Sequence, residues 1–374
     1  MNDTSNKNRI YELIRANPFI AQQDLALQLQ LSRSAVAGHI GSLIRERRLL
    51  GRAYVLADRR PVLCVGAANL DRKLRSVAAL QMGTSNPASA QQAFGGVARN
   101  IAENLARLGL PVALLTALGD DAAGQSLLEH AQQAGIDTRA SLRLADTPSG
   151  TYTAVLDERG EMLVALADMA LYDALTPQFL ASRLPQRAAA ALTVADLNLP
   201  RDSIAALLDA ARPGGAPLVI VAVSQPKMSR LPADLHGLCL LILNRAELET
   251  RVGHALPDGA DVARACASVR AQGAQQVIVT SGAGGVFYAG AGGSGHLPAL
   301  PLDTVDVTGA GDAFAAAVCW SLYRGDDDLQ LACRRGLALA AMTLACASTV
   351  APDVVPGVLE AVPNPDAPAP GPTP

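Results

Sequence analysis

Apolar residues near the N-terminus recur at intervals of three and four, which is the spacing of one face of a helix. They predict helices over residues 8–16 and 22–29, the first of which ends at Asn17-Pro18. A third helix is predicted to start after Ser32, whose hydroxyl can cap it. Three short helices in close succession favour a helix-turn-helix domain.

Residues 49–56 alternate apolar and polar side chains, which predicts a hairpin with Gly51 at its turn. The whole segment resembles the winged helix-turn-helix of bacterial transcription regulators, in which the third helix enters the major groove. The residues predicted to contact DNA are Arg33, Ser34, His39 and Arg52. The alternative is a helical bundle used for dimerisation, whose arginines only face solvent.

Beyond residue 60, short apolar runs alternate with helical patterns. This alternation predicts an α/β domain with a mainly parallel sheet that helices cover on both faces. The runs lie at residues 62–67, 112–118, 192–195, 218–223, 238–243 and 277–280. The first run is followed by Asn69 and Asp71, so polar groups are expected at the carboxyl end of the sheet, where open α/β sheets bind ligands.

Composition supports this division of the chain. Half of the 374 residues are apolar but only 3% are aromatic, as expected of helices packed on a sheet. The net charge of −3 divides into +5 over residues 1–60 and −8 over the remainder. An asymmetry of this kind indicates a basic, nucleic-acid-binding appendage on an acidic domain.

Cysteine usage and hydropathy indicate the cellular setting. The six cysteines are scattered singly, without a C-x-x-C pair and without a signal peptide ahead of them, so they are expected to be reduced. No apolar run is long enough to span a membrane. We therefore expect a soluble, cytoplasmic protein that has no membrane partner.

The clearest chemical signal is a glycine-rich turn, Gly309-Ala310-Gly311, that leads directly into an apolar helix. Backbone N–H groups at a helix N-terminus form an anion site suited to a transferring phosphoryl group. Asp312, in the first turn of that helix, is placed to accept a proton from a substrate hydroxyl. The alternative is a tight strand-to-helix turn in which Asp312 is only a cap.

Residues 306–312, Asp-Val-Thr-Gly-Ala-Gly-Asp, resemble the C-terminal signature of the ribokinase, or PfkB-like, carbohydrate kinases. Residues 95–109, which begin Gly95-Gly96 and contain Asn100, resemble the N-terminal signature of the same family. The resemblance covers about residues 61–355. It implies a doubly wound, mainly parallel sheet with a small β lid. The expected organisation is a winged helix-turn-helix at 1–57, the kinase domain at 61–358 and a proline-rich disordered tail at 359–374.

The resemblance also implies where a substrate binds. Residues 85–87, 160–165 and 195–198 look like blocks of the pseudouridine kinase branch of the family. The residues implied to hold a ribose and its base are Asp71, Gly95, Gly96, Asn100, Asp168 and Asn198. Taken one at a time, such residues are equally typical of turns and helix caps.

ATP, Mg²⁺ and K⁺ are the implied cofactors. Glu247, in an Asn-x-x-Glu element, is implied to act on Mg²⁺ through water, and Asp306 and Thr308 match positions that bind K⁺ in relatives. The residues implied to contact the nucleotide are Asn244, Thr280, Ser281, Gly282, Gly285, Ser224 and Lys227. One departure concerns the strand at 218–223, which carries either Val221 or Ala222 at the position where close relatives have an aspartate.

The expected reaction is phosphoryl transfer from ATP to the 5′-hydroxyl of a nucleoside, with pseudouridine as the first choice. Inosine or guanosine and then a free sugar such as ribose are the alternative substrates. An alternative of another class is a transcription regulator that uses the kinase fold as a ligand sensor, although such a sensor has no use for Asp312 beside an anion site. The sequence does not specify the nucleobase of the substrate, the DNA site, the coupling between domains or whether the chain forms a homodimer.

Overall fold

The computed structural model describes residues 3–16, 20, 22–49, 60–212 and 215–363. The first part contains helices α1 (Asp3–Ala16), α2 (Gln22–Leu29) and α3 (Arg33–Arg45). Ser32 caps α3 as predicted, since its hydroxyl accepts a hydrogen bond of 3.1 Å from the Ala35 N–H. The core between these helices is formed by Ile10, Ile14, Leu25, Val36, Ile40 and Leu43. The predicted wing residues Gly51 and Arg52 lie outside the described residues.

Eight strands form the central sheet of the second part. Their order is β14, β13, β12, β11, β10, β9, β1, β4, and the six strands from β12 to β4 run parallel. The strands, in chain order, are β1 (Val62–Val65), β4 (Val112–Leu115), β9 (Leu192–Asp196), β10 (Leu218–Val221), β11 (Leu238–Asn244), β12 (Gln276–Thr280), β13 (Val286–Gly290) and β14 (Gly293–Leu297). Each apolar run predicted to be a strand falls on one of them.

Helices cover both faces of this sheet. Along β1 the side chains alternate between two separate apolar cores, with Val62 and Cys64 in one and Leu63 and Val65 in the other. The first core is covered by α4 (Val97–Arg107), α5 (Ala122–Gln133), α11 (Ala310–Arg324) and α12 (Leu329–Leu344). The second is covered by α6 (Pro177–Ser182), α8 (Arg201–Ala210), α9 (Arg245–Val252) and α10 (Gly259–Ala271), and the short α7 (Leu184–Ala189) precedes β9.

A smaller four-stranded sheet, the lid, is built from segments that leave the central sheet. Its order is β3, β2, β7, β8, with β2 and β7 parallel. Its strands are β2 (Asn69–Ser76), β3 (Ala88–Gly95), β7 (Thr151–Leu156) and β8 (Met162–Asp168). A separate pair consists of β5 (Ala117–Gly119) and β6 (Leu142–Leu144). The expected α/β fold with a β lid is confirmed.

One boundary requires correction. Leu359, which was predicted to begin the disordered tail, is 1% exposed and packs in the first core beside Val354. An apolar side chain followed by a proline-rich stretch can still be buried when a core surface is within reach. Residues 364–374 lie outside the described residues. All six cysteines are free thiols, and none of the helices in the described ranges is long and apolar enough to cross a membrane.

Candidate active site

The carboxylate of Asp312 and the amide of Asn100 meet beyond the carboxyl end of the central sheet. The Asn100 amide nitrogen donates a hydrogen bond of 2.6 Å to Oδ2 of Asp312. Asn100 lies in the first turn of α4 and is 3% exposed, while Asp312 lies in the first turn of α11 and is half-buried. Two residues predicted from separate motifs, one for substrate and one for catalysis, are therefore in direct contact.

The turn before α4 depends on two glycines. Gly96 has a φ of +99°, and a Cβ there would lie 2.4 Å from the carbonyl oxygen of Ala67. A Cβ at Gly95 would lie 2.3 Å from the carboxylate of Asp71, which β2 of the lid brings against the turn. Asp71 accepts a 2.6 Å hydrogen bond from the Asn69 side chain, and burial raises the pKa of Asp71. The predicted substrate residues Asp71, Gly95, Gly96 and Asn100 thus line one small region.

The turn before α11 also needs glycine. Gly309 has a φ of +83°, and a Cβ there would lie 2.0 Å from the carbonyl oxygen of Thr349. At Gly311, by contrast, a Cβ would meet nothing within 4 Å. The N–H groups of a first helical turn have no acceptor within the helix, so they are available to a ligand. The geometry provides an anion site next to Asp312.

The protonation of Asp312 is set by its surroundings. The pKa of Asp312 is raised to about 7, and burial is the largest cause. The negative charges of Asp196 and Asp71 also raise this pKa, whereas the hydrogen bond from Asn100 and the charge of Arg99 lower it. A carboxylate whose pKa lies near neutrality is suited to general-base catalysis. Asp312 therefore has both the position and the pKa of a general base.

Arg99 is buried directly behind this pair. It lies within the 95–109 signature, but the sequence indicated no role for it. It is 1% exposed and forms an ion pair of 2.5 Å with Glu103, one turn further along α4. Its guanidinium also donates to the carbonyl oxygens of Phe94 and Gly95 and to Oδ1 of Asn100. Because Oδ1 accepts from Arg99, the amide nitrogen of Asn100 must face Asp312.

Asp196, at the end of β9, is a second buried group whose function the sequence did not reveal. Its carboxylate accepts hydrogen bonds from the backbone N–H groups of Ala67 at 2.9 Å, Ala98 at 3.0 Å and Asn198 at 2.8 Å. Burial raises the pKa of Asp196. It joins β1, α4 and the segment after β9, and it places the predicted substrate residue Asn198, which is 4% exposed, at the same edge of the sheet.

Lys73, on β2 of the lid, contacts both residues predicted to hold K⁺. Its ammonium forms an ion pair with Oδ2 of Asp306 and lies 3.2 Å from Oγ1 of Thr308. Burial acts to raise the pKa of Asp306, but the hydrogen bonds from Lys73 and Thr308 outweigh it and lower that pKa. The donor set predicted for K⁺ is thus already engaged by a cation of the chain itself.

The predicted nucleotide residues follow the neighbouring strands. Ser281 comes directly after β12, and its buried hydroxyl has no hydrogen-bond partner among the described residues. A Cβ at Gly285 would lie 2.1 Å from the Leu297 carbonyl oxygen, whereas at Gly282 it would meet nothing within 4 Å. An unpaired hydroxyl beside an open glycine turn fits the approach of a phosphate or ribose oxygen. Thr280 and Gly282 belong to the same turn.

Asn244 and Glu247 form a capping box at the start of α9. The Asn244 side chain accepts a hydrogen bond of 2.9 Å from the Glu247 N–H, and Oε2 of Glu247 accepts one of 2.7 Å from the Asn244 N–H. Burial raises the pKa of Glu247. The capping box uses one carboxylate oxygen of Glu247, so the other remains for a metal-bound water. Among the described residues, no cluster of three or more His, Cys, Asp or Glu side chains could hold a metal ion directly.

Three other predicted residues lie further out. Ser224 precedes a short 3₁₀ helix, Gln225–Arg230, that contains Lys227, whose pKa is lowered by burial. Asp168 is exposed at the end of β8, pairs with Thr151 across the lid, and makes no hydrogen bond to Asn100 or Asp312. The structure therefore does not bring Asp168 to the centre of the site.

The predicted DNA-contact residues lie on α3. Arg33 and Ser34 are exposed at its N-terminal end, and His39 is half-buried. Arg48, by contrast, donates to the Asn8 side chain and stacks over the ring of Tyr11, 4.0 Å from its centroid. Arg48 therefore contributes to holding the helices together, whereas Arg33 and Ser34 are accessible.

A carboxylate base beside a helix N-terminus, at the carboxyl end of a parallel sheet and under a β lid, defines an ATP-dependent phosphotransferase that acts on an alcohol group. Residues 59–355 match the model of the pfkB family carbohydrate kinases, and residues 4–47 match a model described as winged helix-turn-helix DNA-binding. The chain belongs to the pfkB family of carbohydrate kinases and carries a winged helix-turn-helix domain ahead of the kinase domain.

Two curated relatives come from Escherichia coli K12. Pseudouridine kinase is 35% identical over 298 residues, which cover 78% of this chain and 93% of that protein. The uncharacterized sugar kinase YeiI is 32% identical over 320 residues, which cover 85% of this chain and 88% of that protein. A carbohydrate kinase from Agrobacterium tumefaciens aligns with a TM-score of 0.69 and 32% identity, over 81% of this chain and 96% of that one. The chain is thus a nucleoside or sugar kinase of this family.

Proposed function

We propose that the chain transfers the γ-phosphoryl group of ATP to the 5′-hydroxyl of a nucleoside, with pseudouridine as the preferred substrate. The observation that carries the proposal is the contact between Asn100 and Asp312 beside the open first turn of α11. In this contact, the Asn100 amide is suited to bind one ribose hydroxyl, and the Asp312 carboxylate beside it is suited to deprotonate the 5′-hydroxyl. The 35% identity to pseudouridine kinase supports the choice of substrate.

Asp312 takes the proton from the 5′-hydroxyl as that oxygen attacks the phosphorus. Its pKa of about 7 allows the carboxylate to be ionised at neutral pH and still be basic enough to accept a proton. The N–H groups of the first turn of α11, at Gly311 and Asp312, are proposed to stabilise the negative charge that accumulates on the transferring phosphoryl oxygens. Both roles need the main chain of the Gly309 turn to be rigid.

Asp71 and Asn100 are proposed to hold the ribose, and Asn198 and Asp168 the base. Asn100 contacts Asp312, and Asp71 lies close enough for its charge to act on the pKa of Asp312. The sugar must lie in this region for its 5′-oxygen to reach the carboxylate of Asp312. Asp168 is exposed at the end of β8, so its carboxylate is accessible to a ligand under the lid.

The nucleotide is proposed to lie on the turn at 280–285, with Asn244, Ser224 and Lys227 at its edge. The unpaired Ser281 hydroxyl and the open space at Gly282 fit it. Mg²⁺, when bound with ATP, neutralises phosphate charge, and Glu247 is the residue proposed to hold one of its waters. A potassium requirement stays a prediction, because Asp306 and Thr308 already receive hydrogen bonds from Lys73.

A nucleoside panel tests the proposal. The full-length protein, ATP and MgCl₂ are assayed with pseudouridine, uridine, inosine, guanosine and ribose, and products are identified by mass and by ³¹P NMR. Uridine is the matched control for pseudouridine, because the two differ only in the glycosidic bond. We expect the highest kcat/KM with pseudouridine and phosphate on the 5′-oxygen. Turnover of ribose alone would support the sugar kinase alternative, and no turnover of any compound would contradict the proposal.

Residues 1–57 are proposed to form a DNA-binding unit, and residues 61–358 the catalytic unit. The accessible Arg33 and Ser34 at the N-terminal end of α3 support this, since that part of a recognition helix meets base edges. If nucleoside changes the affinity for DNA, DNA must change the affinity for nucleoside by the same factor. The catalytic unit would then also act as the sensor.

A further inference from the structure

Lys73 links the lid to the loop that precedes the catalytic helix. It lies on β2, where Asp71 and Lys73 are two residues apart and so share one face of the strand. Its side chain is 32% exposed, and that of Asp306 is 20% exposed. The two residues are separated by 233 positions in the chain, so this contact exists only when the lid and the loop lie together.

Asp306 uses its two carboxylate oxygens for different purposes. Oδ1 accepts hydrogen bonds from the Thr308 N–H at 2.9 Å and from the Thr308 hydroxyl at 2.7 Å, which closes the turn that leads to Gly309. Oδ2 faces the ammonium of Lys73. One oxygen therefore shapes the loop, and the other is neutralised by a cation from another part of the fold.

The loop is held from its other side by the last residue of α12 and the segment that follows it. The Val305 N–H donates a hydrogen bond of 2.8 Å to the Leu344 carbonyl oxygen, and Gly309 packs closely against Thr349. Lys73 supplies the corresponding contact on the lid side. Without a cation, Asp306 would leave an uncompensated negative charge a few residues from the site that must receive phosphate.

We propose that the Lys73 ammonium serves as a built-in monovalent cation for the loop 306–311, in place of K⁺. The proposal rests on the kinase function proposed above. An ammonium group has the charge of K⁺, and that of Lys73 donates to side-chain oxygens of both residues predicted to bind the ion. Lys73 is thus a positioning residue that acts through Asp306.

The test measures turnover by the full-length protein in buffers whose only monovalent cations are choline and Tris, the latter added with ATP. KCl then replaces choline chloride at constant ionic strength. For the wild-type protein we expect kcat to change by less than about twofold. For Lys73→Met we expect kcat without KCl to fall by about tenfold or more, and KCl or NH₄Cl to restore much of it, while the nucleoside KM changes less than kcat.

Arg72→Met is the matched control. Arg72 is the neighbouring cation of β2, is exposed and lies on the other face of the strand, so its loss should change neither kcat nor its response to KCl. Melting temperatures of both variants show whether the lid still folds. A merely structural lysine would not produce a loss of activity that a small cation reverses.

Three results would overturn the inference: activation of the wild-type protein by KCl of about tenfold or more, full activity of Lys73→Met without KCl, or a loss in Lys73→Met that neither KCl nor NH₄Cl reverses. The first result is measured on the wild-type protein, so it does not depend on whether the Lys73→Met variant folds. If no nucleoside or sugar is turned over in any buffer, the proposed kinase function itself fails. Turnover with a strong potassium requirement refutes only the role of Lys73.

Discussion

Asn100 donates a 2.6 Å hydrogen bond to the carboxylate of Asp312, and the amide is held in that orientation by Arg99 on its other side. This contact lowers the pKa of the Asp312 carboxylate, but burial outweighs it, so that the pKa is about 7. Asn100 thus acts on the base and is also proposed to act on the substrate. The two roles can be separated by experiment.

Asn100→Ala should raise the nucleoside KM, because ribose hydroxyls lose a partner at a typical cost of about 1–3 kcal/mol. The affinity for ATP should change little. Steady-state kinetics with each substrate varied in turn provide the measurement. The matched control is Asn104→Ala, one turn further along α4, where the side chain donates only to the Asn100 carbonyl oxygen. An unchanged nucleoside KM in Asn100→Ala would move the substrate site away from this turn.

The pH dependence of the wild-type protein should show an acid limb. Asp312 can accept a proton only when it is ionised, so kcat/KM should fall as the pH drops below about 7, with a slope of one proton. Because the hydrogen bond from Asn100 lowers the pKa of Asp312, Asn100→Ala should shift this limb to higher pH. Profiles of kcat/KM from pH 5 to 9 test both statements. A flat profile over that range would argue against Asp312 as the base.

Glycine-to-alanine changes at Gly309 and Gly311 should have opposite signatures. Gly309→Ala forces a Cβ against the Thr349 carbonyl oxygen in a left-handed backbone conformation, so unfolding should become easier by about 1–3 kcal/mol. Gly311→Ala meets no neighbour and should leave stability unchanged or raise it by up to about 1 kcal/mol. Its methyl group nevertheless enters the space proposed for the phosphoryl group, so kcat should fall.

Denaturant unfolding and turnover measured on the same two variants provide the check. A fully active Gly311→Ala protein would show that this space is not used by the transferring group.

The chain should bind DNA with an affinity that falls steeply with salt, because basic side chains on phosphates release counterions. Arg33→Ala combined with Ser34→Ala should weaken binding by at least about tenfold, and turnover should be unchanged. Arg15→Ala on α1, an exposed arginine that lies 3.5 Å from Glu12, is the control. Electrophoretic shifts on the upstream region of the gene, with and without nucleoside, measure this. No shift at low salt would favour the helical dimerisation alternative.

The fold was predictable because its signals are local. Apolar runs such as 62–67 and 238–243 are buried strands, and the turns at Gly96 and Gly309 need positive φ angles that glycine adopts without strain. The motifs around Asn100 and Asp312 were therefore visible in the sequence. Their roles in catalysis stay predictions.

What the sequence did not reveal depends on tertiary contacts. Lys73 looks like any charged residue of a strand until the lid places it on Asp306, 233 positions away. Arg99 and Glu103 look like an exposed helical pair, yet both are buried because α4 packs between the sheet and α11. A pattern of side chains along the chain cannot show which charged residues the fold will enclose.

The central claim is that Asp312 is the base for transfer to a nucleoside hydroxyl, and Asp312→Asn tests it most directly. The amide keeps the size of the side chain but cannot take up the proton. With pseudouridine and ATP as substrates, we predict a fall in kcat of about 10²- to 10⁴-fold, while both substrates still bind, as judged by calorimetry. A variant that keeps more than about a tenth of the wild-type kcat would contradict the account.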